Sequence, residues 1–214
     1  SSYERRTPLH YAAYQKASEE VVRMLLEAYP DAAKMLTQYD RTPLHNAVGA
    51  SNPSEAVVSM LLDAYPDAVK KKDGYEQRTP LHLAMENGAS EAIVRMMIEA
   101  CPDAVKELDE YKFTPLHLVV QFEPSEAVVR LLLEVYPDAA KMVDKDNRTP
   151  LHLALEEDAS EAVVRMLLAA YPDAAKMVFR NKKTPLHYAA TNSKYYEKVL
   201  RLLLDEYPDA AKMV

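Results

Sequence analysis

The strongest constraint on the fold is an internal repeat that runs through the whole chain. The tetrapeptide Thr-Pro-Leu-His occurs six times, beginning at Thr7, Thr42, Thr79, Thr114, Thr149 and Thr184. Successive copies are separated by 35, 37, 35, 35 and 35 residues, and the motif Pro-Asp-Ala-(Ala/Val)-Lys follows each copy once. Two markers that alternate in this way predict an array of six similar structural units.

Each repeat is predicted to contain two short helices, as the fifth repeat illustrates. Thr149 is a good N-cap, and Pro150 takes the first helical position, where a missing N–H costs nothing. The second helix is expected to begin after Ser160 and to end at Pro172, and residues 177–183 are expected to form an extended, hairpin-like connection. Apolar residues recur at helical spacing at Leu151, Ala154, Leu155, Val163, Val164, Leu167 and Leu168. Helices this short are marginal alone in water, so the stacking of repeat on repeat must stabilise them.

Thr-Pro-Leu-His at the start of one helix, followed by a Val-Val-Arg-x-Leu-Leu helix, resembles the ankyrin repeat. The unit here is a 35-residue variant with Tyr-Pro-Asp-Ala in place of the usual Gly-Ala-Asp. The resemblance implies an all-α solenoid of six stacked helix-loop-helix-hairpin repeats that form a single domain over residues 1–214. It also implies a concave groove of hairpins and first helices, through which family members mostly bind proteins. The repeats are expected at about 3–36, 37–72, 73–108, 109–143, 144–178 and 179–214.

No pattern in the chain predicts catalysis or a cofactor. All six histidines belong to the repeated tetrapeptide, and one per repeat cannot converge on a single metal ion. Each histidine is expected instead to hydrogen-bond near its own helix N-terminus and to tie neighbouring hairpins together. The single cysteine, Cys101, stands where the other repeats have tyrosine and is expected to be buried rather than reactive. We therefore expect a protein that is not an enzyme and that holds no metal or other cofactor.

The composition argues against nucleic acid and membrane partners. The 33 acidic and 26 basic residues give a net charge of −7 and are interleaved, whereas phosphate binding needs a clustered basic surface. No apolar run approaches the roughly 20 residues that cross a bilayer, and no secretory signal pattern begins the chain. These features predict a soluble protein, cytoplasmic or otherwise intracellular if it is natural.

The six repeats differ mainly in the connection before Thr-Pro-Leu-His and at the end of the first helix. Three successive connections carry tyrosine, and Phe113 stands where four other repeats have arginine. Exposed apolar residues are a liability and tyrosine is favoured in binding surfaces, so these rings are predicted to contact a partner. The alternative is that they pack on neighbouring hairpins and stiffen the stack. The predicted partner-binding residues are Tyr39, Arg41, Tyr75, Glu76, Arg78, Tyr111, Lys112, Phe113, Gln121 and Phe122, with Tyr14 and Phe179 as outlying candidates.

The sequence thus predicts a module that binds another protein. Two origins fit the pattern: an engineered binder with diversified surface positions, or a natural protein with recently duplicated repeats. The alternative function is a structural solenoid that assembles end to end. Against it, Glu20, Lys198 and Glu206 stand in the end repeats where inner repeats have apolar residues. Because a soluble solenoid requires polar end repeats, a monomer is expected.

Overall fold

The computed structural model describes residues 5–122, 125–178, 183–191 and 196–212. Over these ranges the chain is helical, with two α-helices and one 3-10 turn in each of six repeats. The α-helices are α1 (Pro8–Tyr14), α2 (Glu19–Ala28), α3 (Pro43–Val48), α4 (Glu55–Ala64), α5 (Pro80–Glu86), α6 (Glu91–Ala100), α7 (Pro115–Phe122), α8 (Glu126–Val135), α9 (Pro150–Glu156), α10 (Glu161–Ala170), α11 (Pro185–Thr191) and α12 (Tyr196–Glu206). The 3-10 turns are Pro30–Lys34, Pro66–Lys70, Pro102–Lys106, Pro137–Lys141, Pro172–Lys176 and Pro208–Lys212.

The repeated tetrapeptide starts the first helix of each repeat. In α3 the Thr42 side chain accepts a hydrogen bond from the backbone N–H of His45, and Pro43 takes the first helical position. The His45 ring in turn accepts a hydrogen bond from the backbone N–H of Thr42, which completes a capping box. The same reciprocal cap begins α1, α5 and α9.

The second helices are held by a serine cap and by a buried apolar face. Ser54 accepts a hydrogen bond from the N–H of Val57 at the start of α4, and Glu55 lies in the first turn, where the helix dipole favours an anion. Tyr65 and Pro66 then end the helix and open the 3-10 turn. The buried residues of α4 are Val57, Val58, Leu61 and Leu62. The predicted pair of helices per repeat, closed by one further helical turn, is confirmed.

The chain divides into two compact units, Ser1–Glu110 and Tyr111–Val214. In the first unit α1 packs on α3 and α3 on α5, while α2 packs on α4 and α4 on α6. In the second unit α7, α9 and α11 pack in succession, as do α8, α10 and α12. Each unit is therefore a two-layer stack of repeats. The single domain over residues 1–214 stays a prediction.

Hairpins connect the repeats. The N–H of Asp73 donates to the carbonyl oxygen of Arg78 at 2.8 Å, and the N–H of Asp144 to that of Arg148 at 3.0 Å. One residue near each described tip has a positive φ although it is not glycine. These residues are Arg5, Asp40, Gln77, Lys112 and Asn147, with φ between 48° and 63°. The last connection, residues 179–182, lies outside the described residues.

Candidate protein-binding surface

His10 and His45 each bond to their own helix N-terminus and to the next hairpin. The Nδ1 atom of His45 accepts hydrogen bonds from the backbone N–H of Thr42 at 3.1 Å and from the Thr42 hydroxyl at 2.8 Å. The ring proton therefore resides on Nε2, which donates to the carbonyl oxygen of Arg78 in the next hairpin at 3.3 Å. His10 bonds the carbonyl oxygen of Arg41 in the same way at 3.0 Å. The predicted structural role is confirmed for these two histidines.

Burial keeps the imidazoles of His45, His117 and His152 neutral. Desolvation lowers the pKa of His45 to about 4, and it lowers the pKa values of His117 and His152 to about 4 as well. A neutral ring suits the capping box, because protonation of Nδ1 would remove the acceptor that Thr42 uses. Among the described residues, no group of three or more His, Cys, Asp or Glu side chains could hold a metal ion. Cys101 is free and buried.

A second set of buried polar groups shapes the hairpins of the first unit. Asp73 is almost fully buried, and its Oδ1 accepts hydrogen bonds from the backbone N–H groups of Tyr75, Glu76 and Arg78. Its Oδ2 accepts from Nε and Nη2 of Arg41 at 3.0 and 2.9 Å. Burial by itself would raise the pKa of Asp73, but these hydrogen bonds outweigh it and lower the pKa. The ion pair joins the second hairpin to the third.

Arg78 repeats this link one hairpin further on. Its side chain pairs with Glu76 at 2.8 Å, Glu86 at 2.9 Å and the buried Asp109 at 3.3 Å. Burial would lower the pKa of Arg78, but the three carboxylates outweigh it and raise the pKa. The Arg78 guanidinium is thus a buried cation that links carboxylates of neighbouring segments, and it does not face solvent.

In the first unit, two tyrosines lie side by side on the hairpins. The Tyr39 and Tyr75 side chains are 45% and 70% exposed, and their rings meet edge to face with centroids 6.4 Å apart. The N–H of Gly74 donates to the Tyr39 carbonyl oxygen at 2.8 Å, so the backbone fixes the spacing between the two tips. A pocket of about 220 Å³ opens beside the rings. It is lined by Arg6, Thr37, Tyr39, Arg41, Asn46 and Tyr75.

In the second unit, the predicted site residues separate into an exposed and a buried group. Tyr111, Lys112 and Phe122 are exposed. Phe113 is only 7% exposed and stacks on the ring of His117, with centroids 5.7 Å apart. Its ring also lies 6.1 Å from that of Tyr111, so Phe113 supports the exposed tyrosine from below.

The phenylalanine at position 113 changes the pairing below the hairpin. Arg78 pairs with Glu86 and Arg148 with Glu156, in each case across eight residues. Phe113 cannot form such a pair, and the residue eight positions later is Gln121 rather than glutamate. The Oε1 atom of Gln121 is buried and has no hydrogen-bond partner within the described part of the chain.

The structure therefore brings predicted residues together within each of the two units. Tyr39, Arg41, Tyr75 and Glu76 lie at the surface of the first unit, and Arg78 braces them from inside with 7% exposure. The cluster of the second unit consists of Tyr111, Lys112 and Phe122 at the surface, with Phe113 beneath and Gln121 partly covered. Of the outlying candidates, Tyr14 is exposed, and Phe179 lies outside the described residues.

Sequence reasoning missed three residues that line the pocket, namely Arg6, Thr37 and Asn46. A signal for Asn46 exists, because the residue after the tetrapeptide is Tyr or Leu in the other five repeats. A polar residue at a position that is otherwise aromatic or aliphatic indicates a local change of function. Thr37 gives a similar signal, because the corresponding residue in the next three repeats is a buried aspartate, namely Asp73, Asp109 or Asp144.

Comparisons with known proteins agree with this architecture. Ankyrin repeats match the chain in three overlapping segments, residues 1–72, 50–141 and 123–213. The chain therefore belongs to the ankyrin repeat family, and the resemblance found in the sequence is confirmed. Ankyrin repeat domains generally mediate interactions between proteins. A search of curated proteins gives no match to the chain.

Two solved structures illustrate the likeness. The ankyrin repeat domain of Bcl-3, a unique member of the IkappaB protein family, is 26% identical over 94% of this chain and 86% of its own, with a TM-score of 0.73. An ankyrin repeat domain from Acinetobacter baumannii AYE is 25% identical over 93% of this chain and 97% of its own, with a TM-score of 0.76. The all-helical repeat fold is confirmed. None of the described helices is both long enough and apolar enough to cross a membrane.

Proposed function

We infer that the protein binds another protein through its hairpins and first helices, the elements expected to form the groove. The observation that carries this proposal is the exposure of Tyr39 and Tyr75 on adjacent hairpin tips. Their rings meet edge to face, and both residues keep a large exposed area. Tyrosine gives a large and rather rigid contact area with a polar end, which favours a binding role for a pair held in this way.

The second unit supplies a further candidate contact area. Tyr111 and Phe122 are exposed aromatic residues of the fourth repeat, and Lys145 Nζ lies 5.5 Å from the centre of the Tyr111 ring. Lys112 adds an exposed charge at the hairpin tip. Buried Phe113 and Arg78 contribute by holding these tips in position, and Glu76 and Arg41 form part of the polar rim.

The proposal is tested by removing rings while leaving the framework intact. A binding protein is first captured with the immobilised chain, purified, and titrated against wild type and a Tyr39→Ala/Tyr75→Ala double variant. We expect binding at least about tenfold weaker, because rigid aromatic anchors carry much of an interface's energy. The melting temperature should stay close to that of wild type, since both side chains are largely solvated.

Tyr29→Ala is the matched control. Tyr29 is also an exposed tyrosine, but it caps the C-terminus of the second helix α2 and belongs to no hairpin. We expect this variant to bind like wild type. Equal losses in the control and the double variant, or full binding by the double variant, would show that the contact lies on another face.

End-to-end assembly is a second candidate because the first repeat exposes apolar side chains. Val21 and Met24 of α2 are 42% and 59% exposed, whereas Val57, the counterpart of Val21 in the second repeat, is 3% exposed. Of the charges expected to oppose assembly, Lys198 pairs with Glu161 of the preceding repeat at 3.4 Å. Light scattering distinguishes the candidates, since open-ended assembly gives a mass that rises steadily with concentration.

A further inference from the structure

The pocket beside Tyr39 and Tyr75 contains an arginine that is fixed in place with one edge unused. Nε and Nη2 of Arg41 both donate to Oδ2 of the buried Asp73, at 3.0 and 2.9 Å. Within the described residues Nη1 forms no hydrogen bond, and the Arg41 side chain remains 37% exposed where it lines the pocket. A guanidinium held in this way needs little further ordering to bind an oxygen ligand.

Asn46 gives the pocket a buried acceptor. The residue is 6% exposed, and its Nδ2 donates to the carbonyl oxygen of His10 at 3.2 Å. This bond identifies Oδ1 as the atom left for a ligand, and an amide oxygen accepts hydrogen bonds only. No other repeat has a polar amide at this position, so the acceptor does not belong to the common framework.

The remaining walls define the size and charge of the occupant. The rings of Tyr39 and Tyr75 form the apolar side, and the volume of about 220 Å³ suits a single amino-acid side chain. The lining contains Arg6 and Arg41 but neither Asp nor Glu. This excess of cationic groups is unusual in a chain whose net charge is −7. Charge complementarity therefore favours an anion.

We propose that this pocket binds one acidic side chain from an extended segment of a partner protein. The carboxylate takes the free edge of Arg41, a main-chain N–H of the segment donates to Oδ1 of Asn46, and the methylene groups pack against Tyr39 and Tyr75. The inference rests on the proposed function, because it names the partner chemistry recognised by the same surface. A basic side chain would face Arg6 and Arg41, and an apolar one would leave Nη1 of Arg41 and Oδ1 of Asn46 without a hydrogen-bond partner in the pocket.

A carboxylate fits better than a phosphate group. Asp73 already compensates the charge of Arg41 from beneath, so the pocket presents less positive charge than its two arginines suggest. A singly charged carboxylate matches this balance, whereas a phosphate group carries roughly two negative charges at neutral pH. The two ligands differ in charge and shape, so direct titration separates them.

The test uses blocked tripeptides and amide chemical shifts of the full chain labelled with nitrogen-15. The probes are acetyl-Ala-X-Ala-amide, where X is Glu, Gln, Lys or phosphoserine. We expect the Glu peptide to shift the amides of residues 37–46 and 74–76 saturably, with Kd of roughly 1–10 mM for a single-side-chain contact. The Gln and Lys peptides should bind at least about fivefold more weakly, and added salt should weaken the Glu peptide more than the Gln peptide.

A variant and its control locate the binding. Tyr75→Ala removes an exposed wall of the pocket and should weaken the Glu peptide at least about fivefold. Tyr29→Ala, which lies outside the pocket, should leave it unchanged. The proposal is overturned if the Glu and Gln peptides bind equally, if phosphoserine binds more than about tenfold tighter than Glu, or if no saturable shift occurs at these amides. A negative result here leaves the protein-binding function standing, because that function is decided by the partner titration with the Tyr39→Ala/Tyr75→Ala variant.

Discussion

Mild acid should destabilise this protein well before most of its carboxylates titrate. His45, His117 and His152 have pKa values of about 4 in the folded chain, against about 6.5 for an unfolded histidine. Between these values the unfolded chain binds protons that the folded chain rejects, so stability falls as the pH decreases from about 6.5 to about 4. Each histidine then lowers the free energy of unfolding by roughly 2 kcal/mol between pH 7 and pH 5, which gives roughly 5–6 kcal/mol for the three.

That loss is comparable with the whole stability of many domains, so urea unfolding at pH 7, 6.5, 6, 5.5 and 5 will detect it. Near pH 5 the slope of the free energy of unfolding against pH should approach roughly 3–4 kcal/mol per pH unit. A His45→Gln variant should be less stable at pH 7 but should show a slope about two thirds as steep, because one proton is removed from the difference. Asp73, whose pKa is lowered, contributes its own loss only at more acidic pH.

Imidazole NMR gives an independent measurement of the same groups. Rings of His45, His117 and His152 that stay neutral at pH 5 would agree with the reasoning, as would the Nε2–H tautomer that the hydrogen bonds of His45 require. Titration of these rings near pH 6.5 in the folded chain, together with equal stability at pH 7 and pH 5, would refute it.

Further predictions concern the framework and the state of assembly. Arg78→Ala should cost roughly 3–5 kcal/mol in urea unfolding because it removes a buried cation that pairs with Glu76, Glu86 and Asp109, whereas Arg165→Ala, which breaks an exposed pair, should cost less than about 1 kcal/mol. Lys112→Gly should raise the melting temperature, since a side chain at φ 62° costs roughly 1–2 kcal/mol; an unchanged or lower value would contradict this explanation. Light scattering should give the monomer mass at every concentration, and a steady rise would instead favour end-to-end assembly. The six repeats should melt together as one domain apart from fraying ends, and two well-separated transitions would argue against that.

Most of the repeat architecture could be predicted because the residues that determine it act locally. Threonine before proline caps the first helices α1, α3, α5 and α9, and serine caps the second helices α2, α4, α6 and α10, so spacing alone located these helices. The role of His10 and His45 also followed from the repeat, since a residue that recurs at one place in every unit is expected to serve the repeat itself.

The candidate site was harder to predict because its members depend on contacts between hairpins. Tyr111 and Phe113 are both aromatic and two residues apart, yet one is exposed and the other lies on His117. Nothing in their spacing separates these outcomes, since the hairpin reverses direction between them. Arg41 and Arg78 occupy equivalent positions, but Glu76 and Glu86 enclose only the second. The pocket also includes Asn46, and its role can be recognised only once the structure places it beside Arg41 and two tyrosine rings.

The bonds from His10 and His45 to the next hairpin both end on a carbonyl oxygen. A main-chain acceptor is the same whatever residue carries it, so these two bonds do not depend on the side chain of the accepting residue. Arg41 and Arg78 supply the oxygen here, and Ala or Leu would supply it equally well. The ion pairs Arg41–Asp73 and Arg78–Asp109, by contrast, need matched side chains in neighbouring hairpins. A lineage or a library can thus vary the residue at the accepting position of a hairpin without losing the histidine bond to it.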